Sequence, residues 1–251
     1  VLAEIDIQKK TKRKKPRIYG IVKKILISSP NRIKPPCQFY GFCTGCNWQH
    51  IEYEHQLKLK EEIIYKEINS KITSKINIKK IIHSKKQFKY RNHGRFTIRR
   101  NGQIGFTNKV TKKFAAINHC LIMNNKINKY INNLENLVGE TSQLSIRASE
   151  NTNSFLIQPK IKNQDIKIET GQKYYAEKIS GYKFQISSPS FFQVNSNQIE
   201  NMKNTILSLI KNNRRGLLVD AYSGVGTFGI LLSEYFEKVI GIEQSSSATI
   251  D

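Results

Sequence analysis

Three thiols stand within ten residues of one another, at Cys37, Cys43 and Cys46, and the one other cysteine of the chain is Cys120. Thiolates are soft metal ligands, so four of them fit one four-ligand site, either a tetrahedral zinc or a cubane iron–sulfur cluster. Gly41 and Gly45 interrupt the loop and let it fold back, so that three sulfurs can point at one centre while Cys120 closes the shell from a distant segment. Disulfides are set aside. No apolar signal segment precedes these cysteines, and a basic chain with so few of them reads as intracellular, where thiols stay reduced. Zinc sites more often pair two short-spaced knuckles, whereas here the fourth thiol lies 74 positions beyond Cys46; against that, His50 and His119 are close by in sequence. Spacing alone leaves zinc and iron–sulfur equally open.

A second constellation is Leu217-Leu-Val-Asp220-Ala-Tyr222-Ser-Gly224-Val-Gly226-Thr227-Phe-Gly229. It reads as a buried parallel strand running into a glycine-rich turn and a helix, with the next strand over 238–243 ending in Glu243. The glycines satisfy the dinucleotide pattern G-x-G-x-x-G, which by itself is a weak signal. Asp220 redirects it. In nicotinamide sites the strand feeds almost directly into the first glycine and the helix receives a pyrophosphate, whereas here an acidic residue ends the strand and three residues intervene before Gly224. A carboxylate there repels pyrophosphate and welcomes an ammonium or sulfonium group, and S-adenosylmethionine (AdoMet) carries both. Glu243 is placed to accept ribose hydroxyls. Tyr222 either lies against the cofactor through a cation–π contact or is a strand-end core residue.

The charge points to the other partner. Lys and Arg number 42 against 19 Asp and Glu, a formal charge of +23. Such a surface repels itself unless it meets a polyanion, and nucleic acid is the default. Adenine-rich codons explain part of the lysine content, but the same bias would raise Glu and Asp, which stay few. No apolar run of eighteen residues appears, which excludes a membrane-spanning helix. At 251 residues and 38% apolar content, the chain can bury the core of one large or two small domains.

The elements that must position these residues follow from hydrophobic period. Residues 1–29 alternate as two or more strands of a small barrel, joined by a basic loop over 9–17 that suits an RNA backbone. Residues 49–69 read as a helix with Leu57, Ile64 and Ile68 on one face. Strands are expected over 79–83, 88–99, 102–106 after an Asn101-Gly102 hairpin turn, and 113–117 leading to Cys120. A helix over 127–138 and strands over 144–159, 166–170 and 182–187 follow. Arg91, His93, Arg95, Arg99 and Arg100, interleaved with Tyr90 and Phe96, could form a groove for single-stranded RNA, or simply an exposed basic strand face. An Asn195-led capping box opens a helix with Ile199, Met202, Ile206 and Ile210 on one face, closed at Arg214-Arg215-Gly216.

Taken together, Cys-x5-Cys-x2-Cys with Trp48-Gln49-His50 and Gln56-Leu57, the segment Ser190-Phe-Phe-Gln193-Val-Asn195 and the glycine turn resemble the RNA uracil-5-methyltransferases, in particular the iron–sulfur branch that modifies 23S ribosomal RNA. The resemblance covers almost the whole chain. It implies an α+β and α/β multidomain fold: part of a TRAM β-barrel over 1–33, a central iron–sulfur, RNA-binding domain over 34–183, and the start of a Rossmann-like class I methyltransferase domain over 184–251. It also implies a [4Fe-4S] cluster on Cys37, Cys43, Cys46 and Cys120, AdoMet on Gln193, Tyr222, Thr227 and Glu243 beside Asp220, Gly224 and Gly226, and a cytoplasmic monomer acting on 23S rRNA or transfer RNA. Thr44 stands where the family usually has glycine. The implied mechanism adds a cysteine thiolate to C6 of uracil, so that C5 takes the methyl group; a carboxylate base then removes the C5 proton and elimination frees the enzyme. With all four cysteines assigned to the cluster, the nucleophile and base are expected beyond residue 251. The chain begins at Val1, both ends look cut, and the polypeptide as given is expected not to methylate RNA.

Overall fold

The computed structural model describes residues 1–8, 17–72, 76–210 and 216–251. The basic stretch Lys9 to Lys15 and the helix-closing pair Arg214-Arg215 lie outside them. Packing divides the chain into two compact units, Val1–Pro36 with Trp48–Ile76, and Cys37–Asn47 with Asn77–Asp251.

In the first unit, β1 (Leu2–Gln8) and β2 (Arg17–Lys24) pair antiparallel as a two-stranded sheet. α1 (Tyr53–Asn69) begins four residues later than its apolar period suggests. Its expected apolar face is not buried: Ile64 is 46% exposed and no residue of the helix is fully covered. Gln56 ties the first turn back to the preceding chain by donating to the Trp48 and Ile51 carbonyls.

The second unit is built on a five-stranded antiparallel sheet in the order β5-β4-β3-β6-β7. Its strands are β3 (His93–Ile98), β4 (Ile104–Thr107), β5 (Phe114–Ala116), β6 (Gln143–Ala148) and β7 (Phe155–Gln158). α2 (Asn125–Leu134) packs on one face, with Ile127, Ile131 and Leu134 fully buried at the spacing of a helical stripe. Asn124 caps it, its side chain accepting from the Ile127 N–H at 2.9 Å. Phe96, Ile98, Ile104, Leu144, Ile146 and Ile157 meet this stripe from the sheet. Each such side chain, fully removed from water, contributes roughly 1.5–3 kcal/mol. The Asn101-Gly102 turn joins β3 and β4 as expected, with Gly102 at φ +83°.

A second core lies beyond β7. The hairpin β8 (Tyr174–Ile179) and β9 (Tyr182–Ser187) packs with α3 (Ser196–Leu209), α4 (Thr227–Leu232) and α5 (Ser246–Ile250) through Tyr175, Phe184, Ile186, Phe192, Ile199 and Leu231. β10 (Leu217–Ala221) and β11 (Lys238–Ile242) form a parallel pair, as the strand–turn–helix–strand pattern predicts.

Several expectations need correction. Residues 79–83 and 166–170 are not strands, and β8 takes up a segment with no strand assignment in the sequence reading. Asn195 precedes α3, but its side chain makes no capping bond and instead donates to Ser84 Oγ at 3.4 Å. On α3 only Ile199 of the expected stripe is buried, and Met202 is 42% exposed. β10 is not a buried strand, since Leu217 and Val219 are at least half exposed. Among the described residues no helix is long and apolar enough to cross a membrane.

Candidate functional site

The thiol loop is held by its own backbone. Cys43 N–H donates to the Phe39 carbonyl at 2.6 Å and Tyr40 N–H to the Cys37 carbonyl at 3.1 Å, while Gly41 takes φ +84° to reverse the chain between them. The segment after β4 fixes the loop from outside. Asn108 donates to the Phe42 carbonyl at 2.8 Å, and Lys109 N–H to the Thr44 hydroxyl at 2.8 Å. The residue that departs from the resembled pattern is therefore an anchor.

Cys120 is clamped by α2. Asn128 accepts from the Cys120 N–H at 2.7 Å and donates within 3.1 Å of its carbonyl, with the Met123 carbonyl at 3.2 Å. None of the four cysteines forms a disulfide. Burial pushes the Cys43 thiol up; the Gly45 backbone N–H pulls it down, and the neighbouring Cys46 and Cys37 push it further up. Burial likewise raises Cys120, the Ile122 and Met123 backbone lowers it, and Cys46 and Cys43 raise it again. Cys120 thus lies within electrostatic reach of the loop thiols. Two of the four thiols, Cys43 and Cys120, are disfavoured as anions by burial and by neighbouring sulfur, an opposition that a bound cation would relieve. Even so, among the described residues no three His, Cys, Asp or Glu side chains converge as a metal-binding group. His119 meets the Phe39 ring edge-on at 5.6 Å and the Asn118 side chain at 2.9 Å.

The glycine turn is assembled differently. Asp220, at the end of β10, accepts the Gly229 N–H at 2.8 Å, so its carboxylate caps the first turn of α4. A Cβ on Gly229 would stand 3.2 Å from that oxygen, a tight contact that the glycine avoids. Glu243 follows β11 and accepts the Gly224 N–H at 2.8 Å and the Ser245 N–H at 2.7 Å. Those two bonds, Ser245 first, hold its carboxyl below the usual carboxylate range. A carboxylate has about four acceptor positions, so Glu243 keeps capacity for ribose hydroxyls. Gly226 caps α4 at φ +72°, and Thr227 is its buried first residue. Tyr222 sits in the turn at φ +64° and is 94% exposed, so it is not a core residue.

Gln193 approaches through its neighbour, since Phe192 shares a core with Val225 of the turn. The Gln193 carbonyl accepts from Asn92, which is 3% exposed and also donates to Ser196 Oγ. Asn92, Asn108 and Asn128 escape sequence reasoning because an asparagine bridging distant segments has no local pattern. Of the expected RNA groove, Arg95, Arg99 and Arg100 are exposed, but Phe96 is 1% exposed and packs in the core. His93 is held neutral, its pKa lowered to about 3 by burial and then by Arg147, Arg95 and Arg91.

No family model matches the chain. It is 29% identical to an RNA methyltransferase of Aquifex aeolicus, over 99% of this chain and 66% of that protein. It is 26% identical to the tRNA (uracil(54)-C(5))-methyltransferase of Pyrococcus furiosus, over 98% of this chain and 67% of that one. To the 23S rRNA (uracil(1939)-C(5))-methyltransferase of Haemophilus parainfluenzae it is 25% identical, over 90% of this chain and 60% of that protein. The crystal structure of Pyrococcus abyssi tRNA (uracil-54, C5)-methyltransferase, in complex with S-adenosyl-L-homocysteine, has the same fold over 98% of this chain and 67% of its own, with a TM-score of 0.67 at 23% identity. The chain spans about two thirds of the length of these relatives. By sequence it is similar to proteins named RNA methyltransferases, among them uracil-C5 enzymes of both ribosomal and transfer RNA.

Proposed function

We propose that the chain is the RNA-holding and cofactor-holding part of an AdoMet-dependent uridine-C5 methyltransferase, acting on 23S rRNA in the cytoplasm as a monomer. The observation that carries this reading is the Asp220 carboxylate on the Gly229 N–H. The place at a helix start where a dinucleotide site receives its pyrophosphate is filled by a side-chain anion. A cofactor bound beside it must lack phosphate there and gains from positive charge. AdoMet supplies an electrophilic methyl group on sulfonium. Gln193, Tyr222 and Thr227 would line its site, with Gly224 and Gly226 letting the backbone approach and Glu243 accepting the ribose hydroxyls.

On this reading residues 1–33 belong to a TRAM barrel, 34–183 to the central RNA-binding domain and 184–251 to the methyltransferase domain. Cys37, Cys43, Cys46 and Cys120 would hold a [4Fe-4S] cluster, four thiols in no disulfide being the donor set that such a cluster takes. Full ligation leaves iron no open position, so the cluster would pin the loop rather than react. With those thiols so assigned, none of the four is left to attack C6 of uracil. Transfer RNA is the second reading, favoured by the likeness to the transfer-RNA enzyme of P. abyssi.

Titration calorimetry with AdoMet and with NADH tests the cofactor assignment. AdoMet is expected to bind and NADH not to, and Glu243→Gln should weaken AdoMet about tenfold by removing a charge-assisted acceptor. NADH binding in preference to AdoMet would overturn the assignment.

A further inference from the structure

We propose that the open part of the outer face of the five-stranded sheet, carrying Arg95, Thr97, Arg99, Thr107, Phe114 and Gln143, is a platform for an unpaired segment of RNA. The proposal rests on the reading of the chain as RNA-binding and deepens it by naming the surface.

Strand geometry defines the face. Side chains alternate across a sheet, and in β3 Gly94, Phe96 and Ile98 are buried toward α2 while Arg95 is exposed and Thr97 half-buried. The register carries that outward set across the sheet. Thr97 pairs with Gln143 of β6 and Gly105 of β4, Arg95 with Ser145, and Thr107 with Phe114. Ser145 in turn pairs with Gln158 of β7. At one end this face is closed, since His93 pairs with Arg147 and Arg147 with Leu156, the last two buried and Leu156 within the second core; the positions left open are basic, neutral-polar, aromatic or small, and none carries a carboxylate. A chain of charge +23 with a flat, acid-free basic face presents an anion surface by construction.

Aromatic and cationic groups interleave there. Phe114 lies over Gly105, where an added Cβ would meet the ring at 2.8 Å, so glycine lets the aromatic lie flat on the sheet. The Arg99 guanidinium stands 4.9 Å from the Phe114 ring centroid, stacked as a cation–π pair. A guanidinium plane held in this way can take a base on its outer side, and only an unpaired base can reach it. The hydroxyls of Thr97 and Thr107, 3.2 Å apart, together with Gln143, offer donors and acceptors for base edges. A four-stranded sheet with stacking side chains reads two or three unpaired bases in this manner, whereas duplex RNA is gripped across its minor groove and offers no stackable base.

Fluorescence anisotropy decides it, with a labelled RNA of about twelve nucleotides free of secondary structure and a hairpin of equal length as probes. For unpaired RNA, R95A/R99A should weaken binding at least tenfold and flatten the salt dependence by about 0.7 in slope, the loss of one phosphate contact at Arg95, since Arg99 stacks on a base. K129A/K178A, which removes two charges from exposed positions away from this face, should change affinity less than twofold. Phe114→Leu should weaken unpaired RNA several-fold while leaving the salt slope unchanged. Equal losses in the two double variants, or a hairpin preferred over unpaired RNA, would overturn the platform and leave the RNA-binding reading standing. Failure of the wild-type protein to bind either RNA would sink that reading itself, and the platform with it.

Discussion

The two candidate sites differ in what holds them. At the glycine turn both carboxylates already engage backbone: Asp220 takes the Gly229 N–H, and Glu243 takes those of Gly224 and Ser245. The acidic groups that would receive a cofactor are also the groups that shape its turn, so the site is set before any ligand arrives. At the thiol loop the backbone is equally well fixed, by Asn108, Thr44 and Asn128, yet burial and neighbouring sulfur raise the Cys43 and Cys120 thiols, and among the described residues no three metal-binding side chains converge. Backbone donors can preorganise a carboxylate site, whereas thiolates gathered at one point would carry only like charges.

This contrast can be broken most severely at Asn128. Asn128→Ala removes the acceptor for the Cys120 N–H and donors to the Cys120 and Met123 carbonyls, and should cost about 2–3 kcal/mol in urea unfolding. It should also lower metal uptake by the thiols. A loss below about 0.5 kcal/mol would show that Cys120 is not held by this clamp.

Acid separates the two regions next. The folded pKa of His93, about 3, lies below the value near 6.5 of an unfolded histidine, so the unfolded chain takes up the proton first as pH falls. Stability should be fully present above about pH 6.5 and drop by up to about 1.4 kcal/mol per unit below it. Glu243 is also depressed, so its stabilising bonds persist until pH falls below the ordinary carboxylate range. The five-stranded sheet should therefore loosen at higher pH than the glycine turn. His93→Gln should remove the first of these phases in urea titrations between pH 4 and 7. An unchanged pH profile would contradict the burial account.

The smallest effect is expected beside the turn. Val219 is 50% and Ile242 57% exposed, unusual for parallel strands. Val219→Thr with Ile242→Thr should change stability by no more than about 0.5 kcal/mol while reducing binding of a hydrophobic dye. A loss of 2 kcal/mol or more, in the range of a core deletion, would mean these side chains are packed.

What the sequence disclosed followed the range of the interactions. Asp220, Gly224, Gly226 and Glu243 were legible because strand, turn and next strand are consecutive, and the parallel pairing of β10 and β11 carries them together. The hairpin at Asn101-Gly102 was legible for the same reason. The helix over 53–69 was found by its period, but period alone did not say that its apolar side chains stay largely uncovered. Phe96 looked like part of a stacking groove because arginines flank it. Alternation places it on the opposite face of the strand from Arg95, and Phe114, nineteen positions beyond Arg95, supplies the aromatic instead. The Asn92 and Asn108 clamps were invisible because each joins segments that only tertiary structure brings together, and that of Asn128, eight positions from Cys120, because a loop-to-helix bond of that span has no sequence signature.

That four remote thiols act as one metal site is tested most directly by metal and acid-labile sulfide analysis of anaerobically purified protein, wild type beside Cys120→Ser. About four irons and four sulfides per chain, with broad absorbance near roughly 400 nm, are expected for the wild type and should be lost in the variant. A colourless protein with one zinc, or a variant that keeps the wild-type metal content, would contradict it.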